Sequence, residues 1–333
     1  MKIDNCIRII DGALQTTPSI DAFERIVFES HRVLRGDCFV DISHSQEATQ
    51  EAIEKGAYAI ISMRPFEGQD EEIAWIHVAC IEQTLIKLLR YTITQKSLRC
   101  FIASCVQISF LESIQSPKSI KTLKGSLQEY AVEVFKAKEN DSFCLRDETL
   151  ALLIAPSAQK IAVPLHVNPV FSKGLFISSF QYKTHYWHEQ KIPALFVNAF
   201  VSVLAFCDEH SIAWHCDTIP LSEHFYPQFI TQSLRKKEFG MSDKALIFES
   251  NQALLEEEIS YLQSQKEATS LIVCLPKGRD ISFTCKSNIL FYTQASDLNI
   301  LKEHSFCYAL ILGEKEAFEP LLNQTFSVQP TLF

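Results

Sequence analysis

Residues 28–62 read FESHRVLRGDCFVDISHSQEATQEAIEKGAYAIIS and predict a turn, a strand, a helix and a second strand in close succession. Gly36 and Asp37 make a tight turn before the apolar strand CFVDI, because glycine tolerates a positive φ. The segment ATQEAIEKGA predicts a helix that stops at Gly56, since glycine is favoured just past a helix end. AYAIIS supplies the next strand, so this stretch predicts an α/β domain.

Apolar runs alternate with helical segments on both sides of this stretch. From the residues alone, IRII (7–10) and LALLIAP (150–156) predict strands, whereas EQTLIKLLRYTITQ (82–95) predicts a helix with one apolar face. GLFISSFQYKTHYWH (174–188) predicts antiparallel strands, because aromatic and β-branched residues dominate it. From about residue 240 apolar strands alternate with helices, which predicts a small, largely parallel sheet covered on both faces.

The composition indicates a globular protein of two or three domains, with 333 residues of which 47% are hydrophobic and 21% charged. The net charge is −9, and no Lys/Arg run is longer than residues 235–237, so we expect no nucleic-acid partner. No apolar run approaches the roughly 18–20 residues that span a bilayer, and the first residues lack a secretory pattern. We therefore expect a cytoplasmic protein without a membrane span. Eleven cysteines without a CxxC pair argue against a disulfide framework or a zinc ribbon.

The stretch at 28–62 resembles the N-terminal domain of the Mur ligases, above all the branch that adds D-alanyl-D-alanine. That family carries a DSRxVxxGDLFVA motif and then AxxxGAxAxxx, and the matching residues are Ser30, Arg32, Val33, Gly36, Asp37, Phe39, Val40, Ala52, Gly56, Ala57 and Ala59. The opening MKIDNCIRIIDGAL (1–14) is similar to the family's first helix and its glycine-containing turn. The resemblance implies a small N-terminal α/β domain at 1–80, a shortened central P-loop-like α/β domain at 81–238 and a Rossmann-like α/β domain at 239–333.

In the family, the small N-terminal domain holds the uridine-diphosphate end of a muramyl precursor. The resemblance therefore implies that Ser30, His31 and Arg32 are the residues nearest such a UDP-sugar. The chain departs from the motif here, because Glu29 stands at its acidic position and His31 separates the Ser-Arg pair. The following loop, ISHSQEATQ, is also shorter than the family's and lacks its glycines.

The stretch RCFIASCVQISFLES (99–113) predicts a buried strand that passes into a helix. In the family this junction is a GxxGKT loop that binds the phosphates of ATP, and an ungapped alignment places Ser104, Gln107, Ile108 and Ser109 at the first glycine, the second glycine, the lysine and the threonine. A phosphate loop needs glycines so that backbone N–H groups can converge on phosphate, and a lysine to neutralise it. We therefore expect a degenerate loop that does not bind ATP.

Two further family motifs match only in part. Asn198-Ala199 match a HNxxNAxAAxAxA helix without its upstream histidine, and Glu249, Ser250 and Asn251 match the start of a DSYNANP motif. Other polar groups favour structural roles: His185 and His188 lie three apart in a predicted strand, which places them on opposite faces. HSIAWHCD (210–217) would need a further ligand from elsewhere to bind zinc, so we predict no metal site.

Two hypotheses follow. The first is a Mur-ligase-like pseudoenzyme that has lost ATP-dependent ligation and acts as a binding or scaffold protein in peptidoglycan precursor synthesis. It has no catalytic residues and no cofactor, and its partners are a UDP-sugar precursor or cell-wall proteins. The second is an active, divergent UDP-N-acetylmuramoyl-tripeptide–D-alanyl-D-alanine ligase that uses ATP and Mg²⁺ at a displaced phosphate site. The first is favoured because three family elements are degraded together.

Overall fold

The computed structural model describes residues 1–68, 70–114, 120–163, 170–266, 270–279 and 288–323. These residues fall into two compact units. The described residues up to 161, apart from 109–114, form the first unit, and 109–114 together with the residues from 162 onward form the second. The division into three domains at 1–80, 81–238 and 239–333 stays a prediction.

The first sheet of the first unit has the strand order β1-β5-β4-β3-β2, in which β1 is antiparallel to β5 and the other pairs are parallel. Its strands are β1 (Ala13–Leu14), β2 (Ile26–Val27), β3 (Cys38–Val40), β4 (Ala59–Ser62) and β5 (Ala74–His77). Gly36 has φ +99° before β3 and Gly56 has φ +87° before β4, so both predicted glycine turns are confirmed.

Three helices accompany this sheet: α1 (Ile3–Ile10), α2 (Gln46–Glu54) and α3 (Ile81–Gln95). The predicted strand at 7–10 is wrong, because these residues complete α1. Ile3, Cys6 and Ile10 are buried at helical spacing, and a four-residue window is too short to show that period. The opening helix implied by the family resemblance is therefore the correct reading.

The second sheet of this unit is entirely parallel, with the order β7-β8-β6-β9. Its elements are β6 (Arg99–Ile102), α4 (Cys105–Ser113), β7 (Ile120–Leu123), α5 (Leu127–Lys136), β8 (Ser142–Leu145), α6 (Glu148–Ile154) and β9 (Gln159–Lys160). The predicted strand at 150–156 is wrong, since most of it lies in α6. The Asp147 side chain accepts a hydrogen bond from the Leu150 N–H and so caps a helix at this point.

One continuous core joins the two sheets of the first unit. Leu85, Leu88 and Leu89 of α3 belong to the same buried cluster as Ile61 of the first sheet and Phe143 of the second. The opposite face of the first sheet packs in a separate cluster with α2. The strands of the first sheet are thus covered on both faces, which explains their continuous apolar sequences.

The second unit contains an antiparallel three-stranded sheet, a long buried helix and a five-stranded sheet. The first two comprise β10 (Phe171–Ser172), β11 (Ser178–Tyr182), β12 (His185–Gln190) and α7 (Ala194–Glu209). The five-stranded sheet has the order β13-β14-β17-β15-β16 and is parallel except for β13. It comprises β13 (Tyr226–Phe229), β14 (Ala245–Glu249), α8 (Leu255–Ser264), β15 (Leu271–Pro276), β16 (Asn288–Tyr292), β17 (Tyr308–Leu312) and α9 (Glu319–Leu322).

These elements confirm the predicted α/β class, the antiparallel strands at 174–188 and the largely parallel sheet after residue 240. The ten described cysteines are free, and burial raises the pKa of the Cys207 and Cys274 thiols to about 12. Within the described ranges, no helix is long and apolar enough to cross a bilayer.

Candidate functional site

The junction between β6 and α4 is closed by a reciprocal pair of hydrogen bonds. The Ser104 hydroxyl oxygen accepts from the Gln107 N–H at 3.2 Å, and the Gln107 side-chain carbonyl accepts from the Ser104 N–H at 2.9 Å. This is a capping box, in which the residue before a helix and the residue three positions later satisfy each other's backbone donors. Two backbone N–H groups at the start of α4 are therefore already engaged.

The side chain of Gln107 fills the space at the end of β6. It is 4% exposed, and its amide N–H donates to the Ile161 carbonyl at 3.4 Å. Ile108, which the sequence alignment matches to the family's lysine, is 1% exposed and belongs to the apolar interior. Ser104 is exposed and Ser109 half-buried. The four predicted loop residues thus lie together at the junction, with the two larger side chains turned inward.

Ser30, His31 and Arg32 form one turn of 3₁₀ helix after β2. The Ser30 hydroxyl donates to Glu51 of α2 at 2.5 Å, and this hydrogen bond, with a second from Lys55, lowers the pKa of Glu51. The imidazole of His31 and the guanidinium of Arg32 are exposed and share the carboxylate of Glu29. The turn therefore presents two solvent-facing basic side chains, while its serine is engaged with the protein.

A second polar cluster, which the sequence interpretation missed, lies at the carboxyl ends of β3 and β4. Asp41 is fully buried, and its carboxylate accepts from the Ser45 N–H and the Ser62 hydroxyl, each at 3.1 Å, and from the guanidinium of Arg64 at 2.9 Å. Arg64 also donates to the Thr49 hydroxyl of α2. A signal was present, because Asp41 and Arg64 both follow apolar strands, and parallel strands bring their carboxyl ends to one edge.

The turn at 30–32 and the cluster around Asp41 are both tied to α2 but through different sides of it. Ser30 contacts Glu51, whereas Arg64 contacts Thr49. Positions two apart on a helix do not face each other. The structure therefore does not bring Arg64 next to Ser30, and the cluster is a separate feature of this edge.

In the second unit, Glu249 of the partial DSYNANP match is fully buried at the end of β14. Its carboxylate accepts from His224 Nδ1 at 2.9 Å, from the Phe225 N–H at 3.1 Å and from the Asn251 N–H at 2.6 Å. Burial opposes ionisation, but the hydrogen bonds from His224 and the Asn251 backbone outweigh it and lower the pKa of Glu249. Sequence reasoning missed His224, because the irregular segment that carries it shows no pattern.

The two histidines of β12 are placed as the predicted strand requires. His185 packs on Trp187 and Trp214, whereas His188 packs on Tyr186, so the two histidines lie on opposite faces of β12. Asn198 is exposed on α7. Among the residues that the structure describes, no group of three or more His, Cys, Asp and Glu side chains is arranged to hold a metal ion.

Comparison with solved structures identifies the fold as that of the Mur ligases. MurF from Acinetobacter baumannii shares 11% identity with this chain and has a TM-score of 0.58, and the match covers 97% of this chain and 99% of that one. The MurF ligase from Thermotoga maritima, solved with ADP, shares 12% identity over 90% of this chain and 98% of that chain, with a TM-score of 0.56.

A third structure, the UDP-N-acetylmuramoylalanyl-D-glutamyl-2,6-diaminopimelate–D-alanyl-D-alanyl ligase of A. baumannii, shares 13% identity, covers 96% of this chain and 97% of its own, and has a TM-score of 0.51. No family model and no curated protein matches the sequence. At these identities the likeness establishes the fold, which confirms the predicted resemblance at the level of architecture.

Proposed function

We propose that this chain is a Mur-ligase-like binding protein that takes up a UDP-muramyl precursor without ATP-dependent ligation. The observation that carries the proposal is the capping box at Ser104 and Gln107. It lies at the strand–helix junction that the sequence alignment matches to the phosphate loop of the family.

The residues at this junction do not fit a magnesium-bound triphosphate. A phosphate loop requires free backbone N–H groups and a cation at the helix start. Here the Ser104 and Gln107 N–H groups are hydrogen-bonded to side chains, and Ile108 is buried and uncharged. Each charge-assisted contact that is lost contributes about 1.5–3 kcal/mol, so losing several together removes most of the affinity for ATP.

The turn at 30–32 supports the binding half of the proposal. His31 and Arg32 are exposed, and among the described residues the close carboxylate beside Arg32 is that of Glu29. A diphosphate can replace such an exposed ion pair at small cost, because surface pairs contribute only about 0–1 kcal/mol. The turn can therefore receive the anionic end of a UDP-sugar.

The alternative is an active D-alanyl-D-alanine-adding ligase with a displaced phosphate site. It is favoured by the overall fold, which covers nearly the whole of the MurF chains. It requires a second place for the triphosphate and its magnesium.

Isothermal titration with a UDP-N-acetylmuramoyl tripeptide, with and without ATP and magnesium, tests the proposal, together with an assay for phosphate release on addition of D-alanyl-D-alanine. We expect saturable precursor binding that does not depend on ATP, and no phosphate release. Arg32→Ala should weaken precursor binding by about tenfold or more, and Arg35→Ala, which removes an equal charge from the same surface, should leave it unchanged.

Phosphate release that depends on both precursor and dipeptide would overturn the proposal in favour of the active ligase. Absence of precursor binding, or equal effects of Arg32→Ala and Arg35→Ala, would overturn the role of the 30–32 turn.

A further inference from the structure

A cleft of about 580 Å³ lies in the first unit, along the edge strand β2 of its first sheet. It is bounded by the start of α1, the edge strand β2, and the last turns of α3 and α5. Among the described residues that line it, none falls between 33 and 90, so the cluster around Asp41 takes no part. Its volume is within the roughly 300–1,000 Å³ of small-molecule sites.

The rim of this cleft is cationic in a chain whose net charge is −9. Five basic side chains and two carboxylates, those of Glu24 and Glu29, line it. In the absence of a ligand, two of the bases lie in close ion pairs, Arg25 with Asp37 at 2.6 Å and Arg32 with Glu29 at 2.5 Å. The surplus is therefore carried by three lysines, Lys2, Lys96 and Lys136.

These lysines differ in how firmly they are held. The Lys96 ammonium donates to the carbonyls of Phe135 and Ala137 at 2.8 and 2.7 Å, which fixes it at the end of α5, and burial lowers its pKa. Among the described residues, Lys136 pairs with the exposed carboxylate of Glu133 at 3.8 Å, and such a pair contributes little. With Glu24 offsetting one charge, the site is matched to a ligand that carries one or two negative charges.

The floor of the cleft is apolar and aromatic. The rings of Phe28 and Phe135 stack with centroids 5.9 Å apart and planes inclined by 27°. Val132 and Tyr91 extend this surface, and the side chain of Gln95 adds an amide at the lining. Such a floor suits a planar ring, because stacked and offset aromatic contacts contribute beyond the area they bury.

We propose that this cleft binds a ring-bearing phosphate monoester of nucleoside monophosphate size. Its ring lies against Phe28 and Phe135, and its phosphate faces Lys2 and Lys136. The cleft adjoins the precursor-binding turn, because Arg32 also lines it, but its ring and phosphate positions at residues 2, 28, 135 and 136 lie outside that turn. It includes no residue of the strand–helix junction, and it needs no metal ion.

Titration of the full chain with AMP and with UMP in the presence of EDTA tests this site. We expect saturable binding with a Kd below about 1 mM for at least one of the two, and at least about tenfold weaker binding of the matching nucleoside, which lacks the phosphate. Val132→Trp, which fills the cleft, and the double charge reversal Lys2→Glu/Lys136→Glu should each weaken binding about tenfold or more.

The matched controls are Leu152→Trp, on an exposed face of α6, and Lys138→Glu/Lys266→Glu, which changes the net charge equally at exposed positions. Both should bind the nucleotide as the wild type does, and Val132→Trp should still bind the UDP-muramyl precursor. The proposal is overturned if neither nucleotide saturates, if the controls lose binding as much as the cleft variants do, or if Val132→Trp abolishes nucleotide and precursor binding together. Because the charge-reversal variant alters only exposed side chains, the test stands even if Val132→Trp does not fold.

Discussion

Asp41 shows how single residues fix the edge of the first sheet. Its carboxylate is fully buried and is satisfied by the Ser45 N–H, the Ser62 hydroxyl and the Arg64 guanidinium. A buried carboxylate is tolerated only when such partners replace the water it has lost. The loop after β3 is therefore held by hydrogen bonds that converge on Asp41.

We predict that Asp41→Ala lowers the free energy of unfolding by about 3–5 kcal/mol, because it leaves Arg64 without its buried partner. Lys160→Ala is the control, since the Lys160–Glu148 pair is exposed and its loss should cost at most about 1 kcal/mol. Urea unfolding measures both. Equal losses for the two variants would show that the Asp41 cluster is not a buried network.

Glu249 provides a pH-dependent contribution to stability. Its pKa in the folded chain lies below the ordinary value of 4.5, so its contribution is present above that pH and is lost as the pH falls through the folded pKa. The titratable groups around it are His224, Glu258 and, on the far side of the imidazole, Glu223.

We predict that Glu249→Gln is less stable than the wild type at pH 7 and that this difference narrows below pH 4.5. Unfolding midpoints in urea between about pH 3 and pH 7 measure it. Glu256→Gln, at an exposed position on α8, should show no such pH-dependent difference. If the stability difference between Glu249→Gln and the wild type stays constant or widens at acid pH, the lowered pKa of Glu249 is contradicted.

At the scale of secondary-structure elements, α4 depends on its capping box. Ser104→Ala removes the oxygen that accepts from the Gln107 N–H, and we expect a loss of about 0.5–2 kcal/mol in the free energy of unfolding. Ser104→Thr keeps a hydroxyl at this position and should stay close to the wild type. Thermal unfolding of the three proteins gives the comparison, and an Ala variant as stable as the Thr variant would contradict the cap.

Some of the helices could be predicted from local sequence patterns, and others could not. The helix at 46–54 was predictable from its stop signal at Gly56, and the helix at 81–95 from its one apolar face. The short apolar runs at 7–10 and 150–156 were wrongly predicted as strands, because four to seven apolar residues fit a buried strand and a helix equally well. The side-chain cap at Asp147 and the burial at helical spacing in α1 show that both segments are helical.

At the scale of the whole molecule, the motif at 28–62 was enough to predict the Mur ligase architecture, which solved structures at 11–13% identity confirm. The junction at 104–109 was located from the sequence, but its capping box was not, because that pairing depends on side-chain direction. The cluster around Asp41 and the pair of His224 with Glu249 were missed, since their members are distant in sequence and meet only in the fold.

We predict that Gln107→Gly/Ile108→Lys does not recover ligation of D-alanyl-D-alanine. The substitutions restore one glycine and the lysine, but the remaining junction and the partial motifs at 198–199 and 249–251 are unchanged. Phosphate release in the presence of precursor and dipeptide measures the outcome. Ligation by this variant would contradict the prediction and would show that residues 107 and 108 alone prevent ligation.

We infer that the junction between β6 and α4 does not hold a triphosphate. A crystal structure of the chain soaked with a non-hydrolysable ATP analogue and magnesium tests it most directly. In that structure we expect Gln107 to remain hydrogen-bonded to Ser104 and no nucleotide to lie at residues 103–109. A triphosphate bound beside Val106, with its magnesium ion at Ser109, would contradict it.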